Sequence, residues 1–230
     1  MLFRSTVTGA GADVWNAADA FHYVYRTLDG DGSIVAHVAS VQTVATWTKA
    51  GVMIRGSLDP SSAQAFMLVS AAKGMAFQRR LANGASSVNT AGTAATAPRW
   101  VKLTRAGAAI SAFESADGVA WTPVGSDTFV MASSVVVGLA VSSHVNGGLA
   151  TAAFDSVVVT PASGPVNAPP SVALTSPAPG ATATAPASIA LAATAADSDG
   201  TIARVDFYAG TTRIGTSTTA PYAFVWTNVV

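Results

Sequence analysis

Apolar and polar positions alternate along most of this chain with a period of two, in short runs broken by Gly, Pro, Asp and Asn, and that pattern predicts β-strands. The densest patterning lies in Ala50 to Arg80, AGVMIRGSLDPSSAQAFMLVSAAKGMAFQRR. Gly51 to Arg55, Ala63 to Ser70 and Met75 to Arg80 read as strands separated by GSLDPSS and AAKG, the signature of an antiparallel meander. With Ala71 to Gly74 as the second loop, Ser70 pairs with Met75, Leu68 with Phe77 and Phe66 with Arg79, which puts Phe66, Leu68 and Phe77 on the core face. Met67 then opposes Gln78 and Ala65 opposes Arg80 on a second face of small and long polar residues, where a ligand is expected.

Phe21 to Arg26 alternates Phe21, Tyr23 and Tyr25 with His22, Val24 and Arg26, a half-buried strand with its tyrosines inward. The turn LDGDGS joins it to a partner at Ile34 to Val41. Further strands are predicted at Trp100 to Arg105, Ala109 to Ser115, Trp121 to Val124, Val135 to Ser143 and Ala150 to Thr160. No long stretch carries a 3.6-residue apolar period, so this region is an all-β sandwich or jelly roll. TPASGPVNAPP, Thr160 to Pro170, is a linker by composition. The expected organisation is a first domain over 1–161, a Pro-rich linker over 162–170 and a second domain over 171–230. Short strands at Ser171 to Thr175, Ala187 to Ala195, Ile202 to Tyr208, Thr212 to Ser217 and Tyr222 to Trp226 give the second domain the spacing of an immunoglobulin-like sandwich.

Composition narrows the function classes. Half the residues are apolar and a tenth charged, and twelve basic side chains balance twelve acidic ones. No apolar run approaches the ~18 residues of a membrane span, and no basic patch marks a nucleic-acid or anionic-membrane partner. Cysteine is absent, which excludes disulfides, thiolate chemistry and Cys-based zinc sites. MLFRSTVT at the amino end has no apolar signal-peptide core.

The motifs GADVWNAADAFHYVYRTLDGDGSIVAHV, TKAGVMIRGSLDPSSAQAFML, GMAFQRR, FESADGVAWTPVGSD and VGLAVSSH together resemble the concanavalin-A-like domains of the regulation-of-enolase type. The region from Ala168 to Val229 resembles bacterial immunoglobulin-like spacer domains. The resemblance implies accessory modules of a larger secreted, multimodular bacterial protein, located outside the cell or on its surface, with a glycan and neighbouring domains as partners. It implies no catalytic activity and no cofactor. Domains of the first family carry further β-structure before the position of Phe3, and those of the second continue past Trp226, so a segment cut inside a domain at both ends is expected.

Glycoside hydrolysis requires two carboxyl groups about 5 to 9.5 Å apart. Glu114 is the chain's single glutamate, and the Glu-x-Asp-x-x-Glu arrangement of hydrolases on this jelly roll is absent. Ser142-Ser143-His144 lacks the Gly-x-Ser-x-Gly elbow, and adjacent strand residues face opposite ways, so Ser143 and His144 make no nucleophile-base pair. Asp29 with Asp31, and Asp197 with Asp199, read as turn residues ahead of calcium ligands. Trp100 and Trp121 read as edge packing, whereas Trp15 and Trp47 lie in loop-like stretches and are the better sugar platforms. Strand alternation groups His22 with Arg26, Gln78 with Arg80 and Ser142 with His144. On a shared sheet these converge with Arg55, and planar Arg, His and Gln groups suit sugar hydroxyls or carboxylates. The candidate carbohydrate-binding residues are therefore His22, Arg26, Arg55, Gln78, Arg80, His144, Trp15 and Trp47. An ordinary solvated face is the competing reading. A noncatalytic carbohydrate-binding module with an immunoglobulin-like spacer leads. A structural or protein-interaction module of a cell-surface protein is the alternative, and a glycoside hydrolase comes third.

Overall fold

The computed structural model describes residues 4–162 and 168–230, so most of the expected linker lies outside the described residues. The chain divides into two compact units, Met1–Ala162 and Ser163–Val230. The first begins with β1 (Arg4–Gly11), the short β2 (Asp13–Trp15) and β3 (Ala18–Ala20), β4 (His22–Asp29) and β5 (Gly32–Val41). The meander follows as β6 (Lys49–Arg55), β7 (Gln64–Ser70), β8 (Met75–Arg80) and β9 (Val88–Ala91). The unit ends with β10 (Arg99–Ala106), β11 (Ala109–Ser115), β12 (Thr122–Thr128), β13 (Ser134–Ser142) and β14 (Val145–Pro161).

These strands build a concanavalin-like jelly-roll sandwich. One six-stranded antiparallel sheet runs β1-β14-β5-β10-β11-β12 and the other β4-β13-β6-β7-β8-β9. Period-two patterning drives the packing: along β5, Ile34, Ala36 and Val38 are fully buried while their neighbours are half-exposed. They meet Val52, Ile54, Met67, Val69, Phe77 and Leu139 across the sandwich.

The register of the β7–β8 hairpin departs from the expected one by a residue. Met67 opposes Phe77, Phe66 opposes Gln78 and Gln64 opposes Arg80. The loop is longer than AAKG because Ser70 and Gly74 close it: the Ser70 N–H and Oγ–H both donate to the Gly74 carbonyl, at 3.0 and 2.8 Å, and Ser70 Oγ accepts the Lys73 N–H. Gly74 adopts φ +79°, and a Cβ there would lie 2.6 Å from the Thr93 carbonyl. A one-residue slip moves every side chain to the other face. Here the β7 side chains are the ones that change: Met67 joins Phe77, which keeps its expected place in the sandwich, while Phe66 and Leu68 join Gln78 and Arg80 on the outer face.

That outer face is itself covered. Every residue of β6, β7 and β8 is buried, one side by the opposing sheet and the other under the β2–β3 hairpin. Val14 packs there with Met53, Phe66, Leu68, Ala76 and Ala140, flanked by Phe21, Tyr23 and Trp47. Tyr23 of β4 thus points beneath this hairpin and not into the sandwich, whereas Tyr25, stacked on it at 5.3 Å, is exposed. Tyr23 donates its hydroxyl to the Met53 and Val136 carbonyls at 3.0 and 3.1 Å, and burial pushes its phenol pKa up, which keeps it a neutral donor.

The second unit is a small immunoglobulin-like sandwich. It comprises β15 (Ser171–Ser176), β16 (Ala187–Ala196), β17 (Val205–Ala209), β18 (Thr212–Ser217) and β19 (Tyr222–Val229). A three-stranded sheet, β15-β16-β19, faces the two-stranded β17-β18. Ala193, Val205, Phe207 and Tyr222 form its core, with the Phe207 and Phe224 rings stacked at 6.1 Å. Asp197 Oδ1 accepts the Asp199 and Gly200 N–H groups, which makes DSDG a side-chain-capped turn. No helix of the described residues is long and apolar enough to cross a membrane.

Candidate functional site

The outer face of the second sheet carries Lys49 and Arg55 from β6, Gln64 from β7, and Gln78 and Arg80 from β8. Two of these hold the β2–β3 hairpin down. Arg80 bonds Asp19 through Nη1 and Nη2 at 2.9 and 2.5 Å, and Arg55 Nη1 lies 3.2 Å from the same carboxylate. Arg80 also donates to the Trp15, Asn16, Pro60 and Ser62 carbonyls, and Arg55 to those of Ser57 and Asp59. Both guanidinium groups are removed from solvent, at 1% exposure or less. Burial lowers the pKa of Arg55 and the Asp19 carboxylate opposes that shift. Arg55 and Arg80, expected on an open binding surface, instead spend their hydrogen bonds inside the protein. The sequence pattern carries no sign of the cover, because β2 and β3 are too short to alternate visibly.

Where the hairpin ends, a cleft of about 370 Å³ opens between Asp13, Trp15, Trp47, Lys49, Gln78, Asn89 and His144. Lys49 organises it. Its Nζ sits 2.6 Å from Asp13 Oδ1, donates to Gln78 Oε1 at 2.9 Å and lies 5.3 Å from the Trp47 ring centroid. Gln78 Nε2 passes the chain on to Asn89 Oδ1 at 3.3 Å. Asp13 Oδ1 also accepts the Val14 N–H at 2.7 Å, and its Oδ2 lies 3.3 Å from His144 Nδ1. Desolvation lowers the Lys49 pKa, and the neighbouring Asp13 charge pulls it back up.

His144 reaches the cleft from a left-handed backbone, φ 61°, a conformation that costs a residue with a Cβ about 1 kcal/mol or more. The Ser142 and Ser143 hydroxyls stabilise that bend by accepting the His144 and Val145 N–H groups at 3.4 and 3.2 Å.

Of the residues expected to bind sugar, Trp15, Trp47, Gln78 and His144 come together here. His22 and Arg26 do not. They are exposed on edge strand β4, on the same side of that strand as core residue Leu28 and opposite Tyr23. Asp13, Lys49 and Asn89 were missed. Lys49 had a legible signal, a lone cation two residues before Gly51 in the β6 alternation, whereas β9, which supplies Asn89, was not recognised as a strand. Trp100, expected at an edge, lies instead on interior strand β10 and stacks on His37 on the side away from core residues Val101 and Leu103, while Trp121, next to edge strand β12, packs against Lys102. Glu114 lines a separate cleft of about 300 Å³ with Arg99 and Asp117, where both its oxygens accept the Thr93 N–H. No group of three or more His, Cys, Asp or Glu side chains among the described residues is placed to hold a metal ion.

Residues 170–230 match the family model described as Bacterial Ig domain. No curated protein matches the chain in sequence. Among solved structures, a functionally unknown protein from Saccharomyces cerevisiae is 17% identical with a TM-score of 0.57, covering 71% of this chain and 93% of its own. The carbohydrate-binding module CBM66 from Bacillus subtilis is also 17% identical, with a TM-score of 0.47 over 68% of this chain and 94% of its own. The GH43 protein BlXynB from Bacillus licheniformis, 14% identical with a TM-score of 0.47, covers 57% of this chain and 27% of its own. The first of these likenesses speaks to the fold of the jelly-roll unit alone.

Proposed function

We propose that the jelly-roll unit is a noncatalytic carbohydrate-binding module, that the Trp15–Trp47 cleft is its site, and that the immunoglobulin-like unit serves as a spacer in an exported, multimodular protein. The observation that carries the reading is the convergence in one cleft of two half-buried indoles and a polar set already hydrogen-bonded before any ligand arrives. A pyranose packs an apolar C–H face on an indole while its hydroxyls take up fixed donors and acceptors, so little side-chain freedom is lost on binding. Asp13 is the one carboxylate lining the cleft and is engaged by Lys49, which supports binding over two-carboxylate hydrolysis. A cleft of this size on a sheet face suits modest affinity.

The test is a glycan array followed by titration of tryptophan fluorescence on the full chain. Selective binding that weakens at least about tenfold in Trp47→Ala, with cooperative melting retained, is the expected result. A folded protein that binds no glycan would return the cleft to the alternative of a structural or protein-interaction module.

A further inference from the structure

Resting on that reading, we infer that the cleft selects neutral saccharides through hydroxyls read by Asp13 and Asn89, which the buried Lys49–Gln78 pair holds in place, and that it rejects uronate- and sulfate-bearing ones. The argument begins with charge. An anionic sugar requires an uncompensated cation, best a guanidinium fork that matches carboxylate or sulfate geometry. The guanidinium groups on this sheet face belong to Arg55 and Arg80, and both are buried and occupied by Asp19 and backbone carbonyls. The cation beneath the cleft, Lys49, is likewise only 1% exposed and already has Asp13 at 2.6 Å. An incoming anion would therefore meet the Asp13 carboxylate beside the ammonium that should attract it, with the attraction largely cancelled.

A neutral diol meets the opposite situation. Each sugar hydroxyl both donates and accepts. Lys49, 1% exposed, spends its N–H groups on Asp13 and Gln78 and so fixes those two acceptors from beneath the cleft. Asp13 Oδ1 is shared between Lys49 and the Val14 N–H, while Oδ2, near His144, keeps lone-pair capacity to accept. One hydroxyl donating to Asp13 and another accepting from the exposed Asn89 amide nitrogen complete both residues without separating Asp13 from Lys49. The Gln78–Asn89 amide pair extends the same donor-acceptor mixture, and the indoles favour a sugar ring with a clean C–H face.

The experiment compares matched oligosaccharides at pH 7.5 on the full chain: a neutral galactan against oligogalacturonate and a sulfated galactan, with a mannan and a fructan added to widen the neutral set. The expected result is binding to at least one neutral member, at least tenfold tighter than to any acidic one and unchanged between 50 and 500 mM NaCl. Asp13→Asn, a near-isosteric change, should weaken neutral binding and narrow the discrimination to under threefold. Should that variant fail to melt cooperatively, the salt titration of the unaltered chain decides alone. Preference for an acidic member, or binding that falls steeply with salt, would overturn the inference while leaving glycan binding intact. A blank across every member would overturn the proposed function and this inference with it.

Discussion

Asp19→Asn isolates the device that shapes the cleft. The side chain keeps its volume, but two fully buried guanidinium groups lose the carboxylate they share at 2.5 to 3.2 Å. Removing one member of a buried, hydrogen-bonded ion pair costs about 3 to 5 kcal/mol, because the remaining charge stays desolvated without compensation. Asn can still accept one N–H from Arg80, which places the expected loss at the lower end, about 3 kcal/mol. For a unit of this size that lowers the melting temperature by roughly 6 to 12 °C. Thermal and urea unfolding followed by tryptophan fluorescence gives the global number. Amide exchange over residues 13–20 shows whether the hairpin opens before the sandwich does. Arg26→Ala, an exposed change on the edge strand, is the control and should stay within about 0.5 kcal/mol of the parent. A drop of under 2 °C in Asp19→Asn, with hairpin protection retained, would refute the anchoring role and return Arg55 and Arg80 to the list of groups free for a ligand.

Two further outcomes follow from close contacts elsewhere. A Cβ at Gly51 would fall 2.1 Å from the Met67 carbonyl and 2.7 Å from Leu68 Cα, so Gly51→Ala must spread the β6–β7 ladder and should cost about 2 to 4 kcal/mol in urea unfolding. In the immunoglobulin-like unit, the Thr216 hydroxyl donates to Asp206 Oδ1, the main cause of that carboxyl's lowered pKa, with Arg204 and Arg213 adding to it. A carboxyl with its folded pKa below the unfolded value contributes stability that is present above about pH 4 and lost as pH falls through the folded pKa. Thr216→Val should move the Asp206 titration, followed by carboxyl NMR, upward toward the ordinary value and flatten that acid loss. An unchanged titration would assign the shift to the arginines instead.

Strand existence was legible wherever one face is apolar over several residues, as in Ile34 to Val38, because burial of one side imposes a period of two. Register was harder to read. The β7–β8 hairpin turned on whether Ser70 belonged to the strand or to the loop, and hydroxyl and backbone bonds to Gly74 settled it by one residue, inverting the faces of Phe66 and Leu68 while Phe77 stayed in the core. Gln78 and Arg80 kept their common side, but their neighbours changed from small residues to Phe66 and Leu68. The larger gap was the β2–β3 hairpin. Three-residue strands show no periodicity, so neither the cover over Arg80 nor the seat of Asp13 beside Lys49 was visible. Trp15, Trp47, Gln78 and His144 were found because their chemistry is unusual for their positions, whereas Lys49 and Asp13 acquire theirs only from each other.

The order of pairing has a temporal side. β1 lies against β14, with Arg4 opposite Asp155, so the strand synthesised early in this unit finds its partner only after nearly all of the unit has been made. Loop closure over that distance is slow and comes after the local meander β6–β8 can assemble. Asp13 follows directly on β1, and His144 directly precedes β14. The Asp13–His144 contact in the cleft is therefore made by the same late event, and its formation reports that the jelly-roll unit has finished folding.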